Sequence, residues 1–454
     1  MPGRYTRFTA PEPARRHALR AFTRVGAGAT AVLVLTSCAT LSTGDGPDNV
    51  PEDVSTSITD EPVELTLAYT DDPPSTELVE GFTEQYPNVT VELQQTPFTD
   101  YVKTVTLAMS SDEPPDIAQY NPGAMRSLIP GRHVLDLEPY VEAYGWEETF
   151  PEASLEPLRA DEDATRFGTG SLYAVPGALS MLGVFYNREL LEEAGVTRPP
   201  GTFAEFEEAL DAVDAEGTTA FSVGGLEVGG FQVWNTLLNT FGDDREYRDW
   251  VHGAPEASIE TDAALEATET LTRWVEAGYV PEGANATSDD DAKAAFTGGE
   301  SAFLVIGNWA AFELEEAMGE DVGFFLMPGE DPDAAPVTSG SSVSYTVSSA
   351  TEHPDVAAAF LDYLASPEAA LIQSETGFMP VDTDVSLEQD GVWAEINDVY
   401  GTAAEQDGIV PFPDFATPGM IDQLTPGVQG LIAGSTEETT FLSDLQSEWE
   451  RHHG

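Results

Sequence analysis

The chain has 454 residues, 41% of them hydrophobic, enough for two or three domains with sizeable cores. Eighteen Lys and Arg stand against 81 Asp and Glu, a net charge of −63, and Lys103 and Lys293 are the only lysines. This balance excludes a basic face for nucleic acid or anionic lipid; the lack of any Gly-Lys pair excludes a P-loop, and a single cysteine excludes a disulfide scaffold.

Residues 1–37 differ in kind from the rest. Arg4, Arg7, Arg15, Arg16, Arg20 and Arg24 face a single acid, Glu12, and an apolar or small-residue run follows from Val25 to Ser37. A basic start followed by a short apolar stretch is the layout of a secretory signal, and the run is shorter than the roughly 20 residues of a membrane span. It ends Leu35-Thr36-Ser37-Cys38, which resembles the bacterial lipobox; that resemblance implies lipidation of Cys38 as the first mature residue. Arg15-Arg16 followed by Leu19 and Arg20 leaves a twin-arginine export signal open beside the general route. Without residues 1–37 the chain would hold 80 acids and 12 bases, a charge of −68. The acids are spread along the whole length, as expected of a solvated surface in a saline or alkaline setting where salt screens repulsion. Residues 38–62 are expected to form the anchor and a flexible acidic tether, because Ser, Thr, Gly, Pro and acids dominate there without period.

The body alternates strands and helices. Val63–Tyr69 alternates apolar and polar and predicts a strand; Leu78, Val79, Phe82 and Tyr86 recur at helical spacing; Val89–Leu93 predicts a second strand. Asp100–Met109 predicts a helix with Tyr101, Val105 and Met109 on one side, and Pro115 to Ala118 opens a third strand. Tyr173–Pro176 and Val184–Asn187 predict two further strands. Glu189–Ala194 is helical and stops at Gly195. Thr202 with Glu205 three positions on predicts a capping box, opening a helix whose core side is Phe203, Phe206, Leu210 and Val213. A Gly298-Gly299 turn leads into the strand Ser301–Ile306, and helices follow at Pro354–Ala365, Met420–Ala433 and Thr439–Trp449. Such alternation implies an α/β fold with a mainly parallel sheet covered on both faces.

Several segments, in order, resemble one family. They are Pro114-Pro115-Asp116-Ile117; Tyr173-Ala174-Val175-Pro176 with Val184-Phe185-Tyr186-Asn187 and Leu190-Leu191-Glu192-Glu193-Ala194-Gly195; Phe296 to Phe303 with Gly307-Asn308-Trp309; and Ser366-Pro367-Glu368-Ala369-Ala370 running to Gly377-Phe378-Met379-Pro380. Together they resemble the extracellular solute-binding proteins of ABC importers, in the group that binds maltose and other sugars, over about residues 63–449. The resemblance implies a two-lobed periplasmic-binding-protein-like fold (type II) with a three-segment hinge and a ligand cleft between the lobes. The boundaries expected are 63–177 plus 343–377 for one lobe and 178–342 plus 378–454 for the other, with crossings near Gly177–Ala178, Gly340–Ser342 and Gly377–Pro380.

A sugar site needs flat aromatic platforms and in-plane polar partners. Trp309 sits in a loop after a strand, where stacking on a ligand competes with core packing. Phe231, Gln232 and Trp234 stand near a helix start at which the resembling family places contacts, with core packing again the alternative. Asp71 and Asp72 follow the first strand, and Tyr120 and Asn121 the third, at the crevice edge expected of such sheets. Ser180 matches a family contact position at which some relatives carry an acid, and Gly340 and Ser341 offer backbone and hydroxyl groups at the second crossing. The Pro-rich stretch Phe412 to Met420 is expected to close the late edge, and Tyr101 is a weaker candidate.

No G-x-S-x-G, S-x-x-K or H-E-x-x-H motif is present. The expectation is therefore a monomeric, lipid-anchored binding protein, not an enzyme, with no cofactor or metal. A small sugar and the permease subunits of an importer are its expected partners, and nucleic acid is not. A polyamine ligand, suggested by acids with tryptophans, and a secreted glycoside hydrolase remain the alternatives.

Overall fold

Val63, Leu65 and Leu67 alternate inward along the first strand, β1 (Val63–Tyr69), while Glu64 faces water. Helix α1 (Ser75–Gln85) buries Leu78, Val79 and Phe82 and returns the chain to β2 (Val89–Gln95), which lies parallel to β1 in register from Val63↔Val89 to Tyr69↔Gln95. Helix α2 (Phe98–Met109) then leads to β3 (Ile117–Gln119), parallel to β1 on its other side, and α3 (Pro122–Leu128) follows. The structure is a computed structural model that describes residues 49–51, 54–70, 74–150, 152–332, 334–381 and 390–454. All of these fall in one compact unit, Gly46–Gly454. Cys38, Asp71 and Asp72, together with the signal segment, lie outside the described residues.

After short helices between residues 138 and 158 and a two-stranded ribbon of Arg159–Ala160 with Ser171–Leu172, the chain enters β4 (Val175–Asn187), 13 residues that are all buried. Two strands were expected here; one continuous strand is found. Helices α4 (Phe203–Ala215), α5 (Gly229–Phe241), α6 (Asp244–His252) and α7 (Asp262–Ala277) surround β5 (Thr219–Ser222) and β6 (Ser301–Gly307). Strands β7 (Val322–Phe325), β8 (Thr338–Val347) and β9 (Ile409–Val410) complete a nine-stranded sheet. Helices α8 (Pro354–Tyr363), α9 (Ile421–Ile432) and α10 (Glu438–His453) pack around it.

The sheet order is β2-β1-β3-β8-β4-β6-β5, with β9 on β8 and β7 on β4. It is mixed, which corrects the mainly parallel sheet expected from the sequence. The outer pairs β1/β2, β1/β3 and β5/β6 are parallel, whereas β8 runs antiparallel to both β3 and β4, and β4 antiparallel to β6. A βαβ pattern read locally predicts parallel neighbours. Here the two longest strands carry the chain between two parallel sheets in opposite directions, and they pair with each other at the centre.

The apolar interior is divided accordingly. One core gathers Val63 to Val175 with Tyr345 to Val381; a second gathers Val184, Tyr186, Trp234, Trp274 and Phe441; a third gathers Leu179, Met181 and Phe185 with Phe324 and Trp393. Val184 and Tyr186 alternate with Met181, Phe185 and Leu179, so the second and third cores are the two faces of one part of the sheet, as a period of two requires. A strand covered on both faces reads as a continuous apolar run.

Thr202 caps α4 as expected, its hydroxyl accepting from Glu205 N at 3.2 Å. The Glu205 carboxylate, however, accepts from Gly201 N at 2.8 Å and pairs with Arg198, so the box closes one residue early. Gly177 has a packing reason: a Cβ there would overlap the ring of buried Tyr345, whose hydroxyl bonds Ser75 Oγ at 2.6 Å. Gly177→Ala is therefore expected to destabilise the fold by about 1–3 kcal/mol, the usual cost of overpacking. Denaturant unfolding measures it, and an unchanged midpoint would mean that the Tyr345 ring yields freely.

Candidate functional site

The carboxyl ends of β1 and β3 meet the middle of β8. Gln119 Oε1 accepts from Thr70 N at 2.8 Å, and the Tyr101 hydroxyl donates to Gln119 O at 2.7 Å. Tyr101 is thus a buried brace of this edge. Tyr120 N donates to Ser344 O at 2.6 Å, which hangs the edge on the crossing strand. Asn121 Oδ1 accepts from Ala124 N and caps α3. Two buried polar atoms here have no hydrogen-bond partner, Thr70 Oγ1 and the Tyr120 hydroxyl. Burial pushes the Tyr120 phenol up, and nearby Arg126 partly offsets this.

The crossing strands supply Ser180, Gly340 and Ser341. Ser341 pairs with Ser180 in the ladder, and Ser180 Oγ donates to Ser341 O at 3.0 Å. A Cβ on Gly340 would meet Ser180 O at 2.6 Å, so only glycine lets the two backbones lie this close. Residues 341–343 are half-buried, while the β8 positions on either side are buried.

The opposite wall is aromatic. Trp309 follows β6 and is half-buried, its indole lying on Gly307. Its ring centroid is 6.5 Å from that of Phe412, which is 5.6 Å from that of Phe415. Asn308, fully buried, accepts from Met181 N through Oδ1 at 2.9 Å and leaves Nδ2 unpartnered. The turn that carries Trp309 is therefore tied to β4, as Tyr120 is tied to β8.

Beside these residues, Val102 and Thr106 of α2, Asn121 at the start of α3, and Asp414, Pro418 and Ile421 line a small groove of about 40 Å³. Asp414 forms no ion pair among the described residues, and burial pushes its carboxyl up to about 7. No group of three residues there has the composition of a metal site among the described residues.

The structure thus gathers Tyr120, Asn121, Ser180, Gly340, Ser341 and Trp309 around the crossing strands. It does not bring Trp234 there: that ring is fully buried in the second core, donates its indole N–H to Thr268 Oγ1 at 2.9 Å and packs edge-on to Phe441. Phe231 packs into the same core, and Gln232 is buried beside it on α5. For Trp234 the core-packing alternative holds, because its polar atom is satisfied 34 residues away inside the helical layer. Thr70, Asn308 and Asp414 are additions to the site. Asn308 was legible as part of Gly307-Asn308-Trp309, and Asp414 as part of the Pro-rich stretch.

Comparison with known proteins gives a family and a fold. Residues 69–371 match the family described as bacterial extracellular solute-binding protein. A maltodextrin-binding protein, MdxE, of Bacillus subtilis is 24% identical over 376 residues, 79% of this chain and 82% of that protein. A multiple sugar-binding protein of Streptococcus mutans is 22% identical over 204 residues, 44% of this chain and 48% of that one. A solved chitin oligosaccharide binding protein superposes with a TM-score of 0.74 at 21% identity, covering 86% of this chain and 99% of its own.

Two outcomes test the geometry. A Cβ on Gly307 would strike the Trp309 ring, so Gly307→Ala is expected to expel the indole toward water and red-shift tryptophan emission without unfolding the chain. Asp414 holds its proton to about pH 7 when folded, against about 4 unfolded, so its ionisation costs stability as pH rises through that window. The stability advantage of Asp414→Asn over the natural chain should therefore grow between pH 4 and pH 8 in denaturant titrations; a constant difference would place the carboxyl in water.

Proposed function

The chain belongs to the bacterial extracellular solute-binding proteins, and from that premise we propose that it captures a carbohydrate, a mono- or oligosaccharide, in the groove and delivers it to the permease of an ABC importer. The lobes are residues 63–177 with 343–377, and 178–342 with 378–454. Cys38 carries the lipid that holds the body at the outer face of the cell membrane.

The row Trp309–Phe412–Phe415 is the observation that carries this reading. Sugar rings have apolar faces and hydroxyl edges; aromatic rings take the faces. The edges need donors and acceptors: the unpartnered Tyr120 hydroxyl and Thr70 Oγ1 can act as either, and Asn308 Nδ2 as a donor. The names of the relatives, which bind maltodextrin, multiple sugars and chitin oligosaccharide, support the same ligand class. Ligand favours the closed arrangement because only there do both walls touch it, and the closed arrangement is what a permease reads. No bond is broken: the family and the relatives it matches are binding proteins. The unpaired Asp414 in the lining of the groove favours a polyamine as the second reading.

Calorimetry of residues 39–454 against sugars, polyamines and amino acids tests the proposal. The expected result is saturable one-to-one binding of one sugar class with no product formed, and Trp309→Ala should weaken it more than tenfold, about 1.4 kcal/mol. Binding of polyamines alone would move the site to Asp414, and release of reducing ends would make the chain a hydrolase.

A further inference from the structure

Arg126 is 4% exposed, yet no carboxylate pairs with it among the described residues. It projects from α3, whose Met125 and Leu128 belong to the first core. Its guanidinium donates to four carbonyls. Nη1 reaches Ala164 O at 3.2 Å and Thr165 O at 3.3 Å, on the side of the first core. Nη2 reaches Val251 O at 2.8 Å and Nε reaches Phe415 O at 3.2 Å, on the side of the second. The Phe167 ring lies 4.6 Å beneath.

The surroundings are arranged for a cation held by dipoles. Val251 O stands in the last turn of α6, where the carbonyl end of the helix favours positive charge. His252 and His453 flank the site, and burial, with Arg126 adding repulsion, holds both near 4, so they are neutral at pH 7. His453 Nε2 meets Ala416 O at 2.9 Å, and Phe167 N donates to His252 O at 3.2 Å across the same junction. Burial lowers the guanidinium to about 10, and Tyr120 and then Asp161 act in the opposite direction.

The two elements that Arg126 joins are the two walls of the groove. Asn121, the cap of α3, lines one side; Asp414, next to Phe415, lines the other. We infer that Arg126 is a positioning residue, an interlobe latch that holds the two sides of the groove together and sets the fraction of closed molecules before any ligand arrives. This rests on the solute-binding reading but not on the ligand being a sugar. When the walls part, the guanidinium exchanges the Val251 and Phe415 carbonyls for water and keeps those of its own side. Apparent affinity scales with the closed fraction, so losing the latch weakens ligand binding although Arg126 touches no ligand. Lysine replaces it only in part, because one ammonium does not present the planar fork that meets carbonyls on both sides.

The test uses the full chain with Cys38→Ser and spin labels on cysteines placed at exposed Glu84 and Glu269, one beside each core. Interlobe distances are read by double electron–electron resonance without ligand. Arg126→Gln removes the latch. Gly253→Ala wedges the junction from the other side, because a Cβ there would sit 2.5 Å from Thr165 O while Arg126 stays in place. Both variants are expected to shift the ligand-free distribution toward the open form, Arg126→Lys partly so, and both should raise the dissociation constant of whichever solute binds by tenfold or more, mainly through faster release. Unchanged ligand-free distributions in Gln and Ala variants that remain folded would overturn the latch and leave Arg126 a static support. A shifted distribution in a chain that binds no sugar would keep the latch and overturn the carbohydrate reading instead.

Discussion

The antiparallel ladder of β4 on β8 is the constraint on which everything else rests. β4 contributes to all three hydrophobic cores and β8 to the first, and their pairing from Gly340↔Met181 to Tyr345↔Val175 spans the junction. Such a ladder can twist but cannot slip, because a one-residue shift would turn every buried side chain of β4 to the wrong face. The register moves once, between Ser342 and Ser344, at a bulge. Bulges bend a strand locally and loosen its pairing. This one lies where β8 is half-buried, so any bending of the two halves has a defined place to occur, close to Tyr120, Ser180 and Ser341.

Among the described residues, buried polar atoms without a partner occur at the site and also away from it, at Tyr144, Trp250, His252 and Tyr363 among others. Most buried polar side chains here are satisfied, often over long separations: Trp449 on Trp250 O, Trp274 on Glu207 and Gln446 on Ile259 N. Unpartnered atoms cost free energy, so a folded chain retains few without a reason. Thr70, Tyr120 and Asn308 retain theirs within one or two residues of the crossing strands or the strand ends facing them. Asn239 also leaves Oδ1 unpartnered while its Nδ2 bonds Ser339 Oγ on β8. A ligand with hydroxyls on several edges removes such penalties together, which couples its binding to the closed geometry.

How much of this was legible in the sequence follows from the range of the interactions. Elements fixed by local period were readable to within a residue or two: β1, α1, the core side of α4, and the cap at Thr202. The unity of β4 was not, because Gly177, Ala178 and Ser180 interrupt its apolar run, and only the neighbours on both faces show why small residues sit there. Sheet polarity was misread for the same reason, since whether two strands run parallel depends on which pair, and β4 and β8 are separated by some 150 residues. In the site, Trp309 and Asn308 stood in a recognisable motif. Trp234, near a helix start, was open to either reading in sequence; its full burial, its bond to Thr268 and its contact with Phe441 place it in the core. Arg126 was invisible, because its partners lie 38 to 289 positions away.

That last residue also bears on the charge of the chain. On the proposed reading, two lobes of a chain of net charge −63 repel one another, and closing them around a ligand brings acidic surfaces closer. Most of the cations that form ion pairs do so on the surface, as in Arg159 with Glu138 and Glu147 or Lys293 with Asp290 and Glu313, where each contributes little. Arg126 instead sits unpaired between those lobes, where a positive charge attracts both. Its burial costs several kcal/mol of hydration, which carbonyls and a helix end only partly return. A contact whose large opposing parts nearly cancel is weak in either state. A capture device needs that property, since a latch that won outright would hold the groove shut against both entry and release.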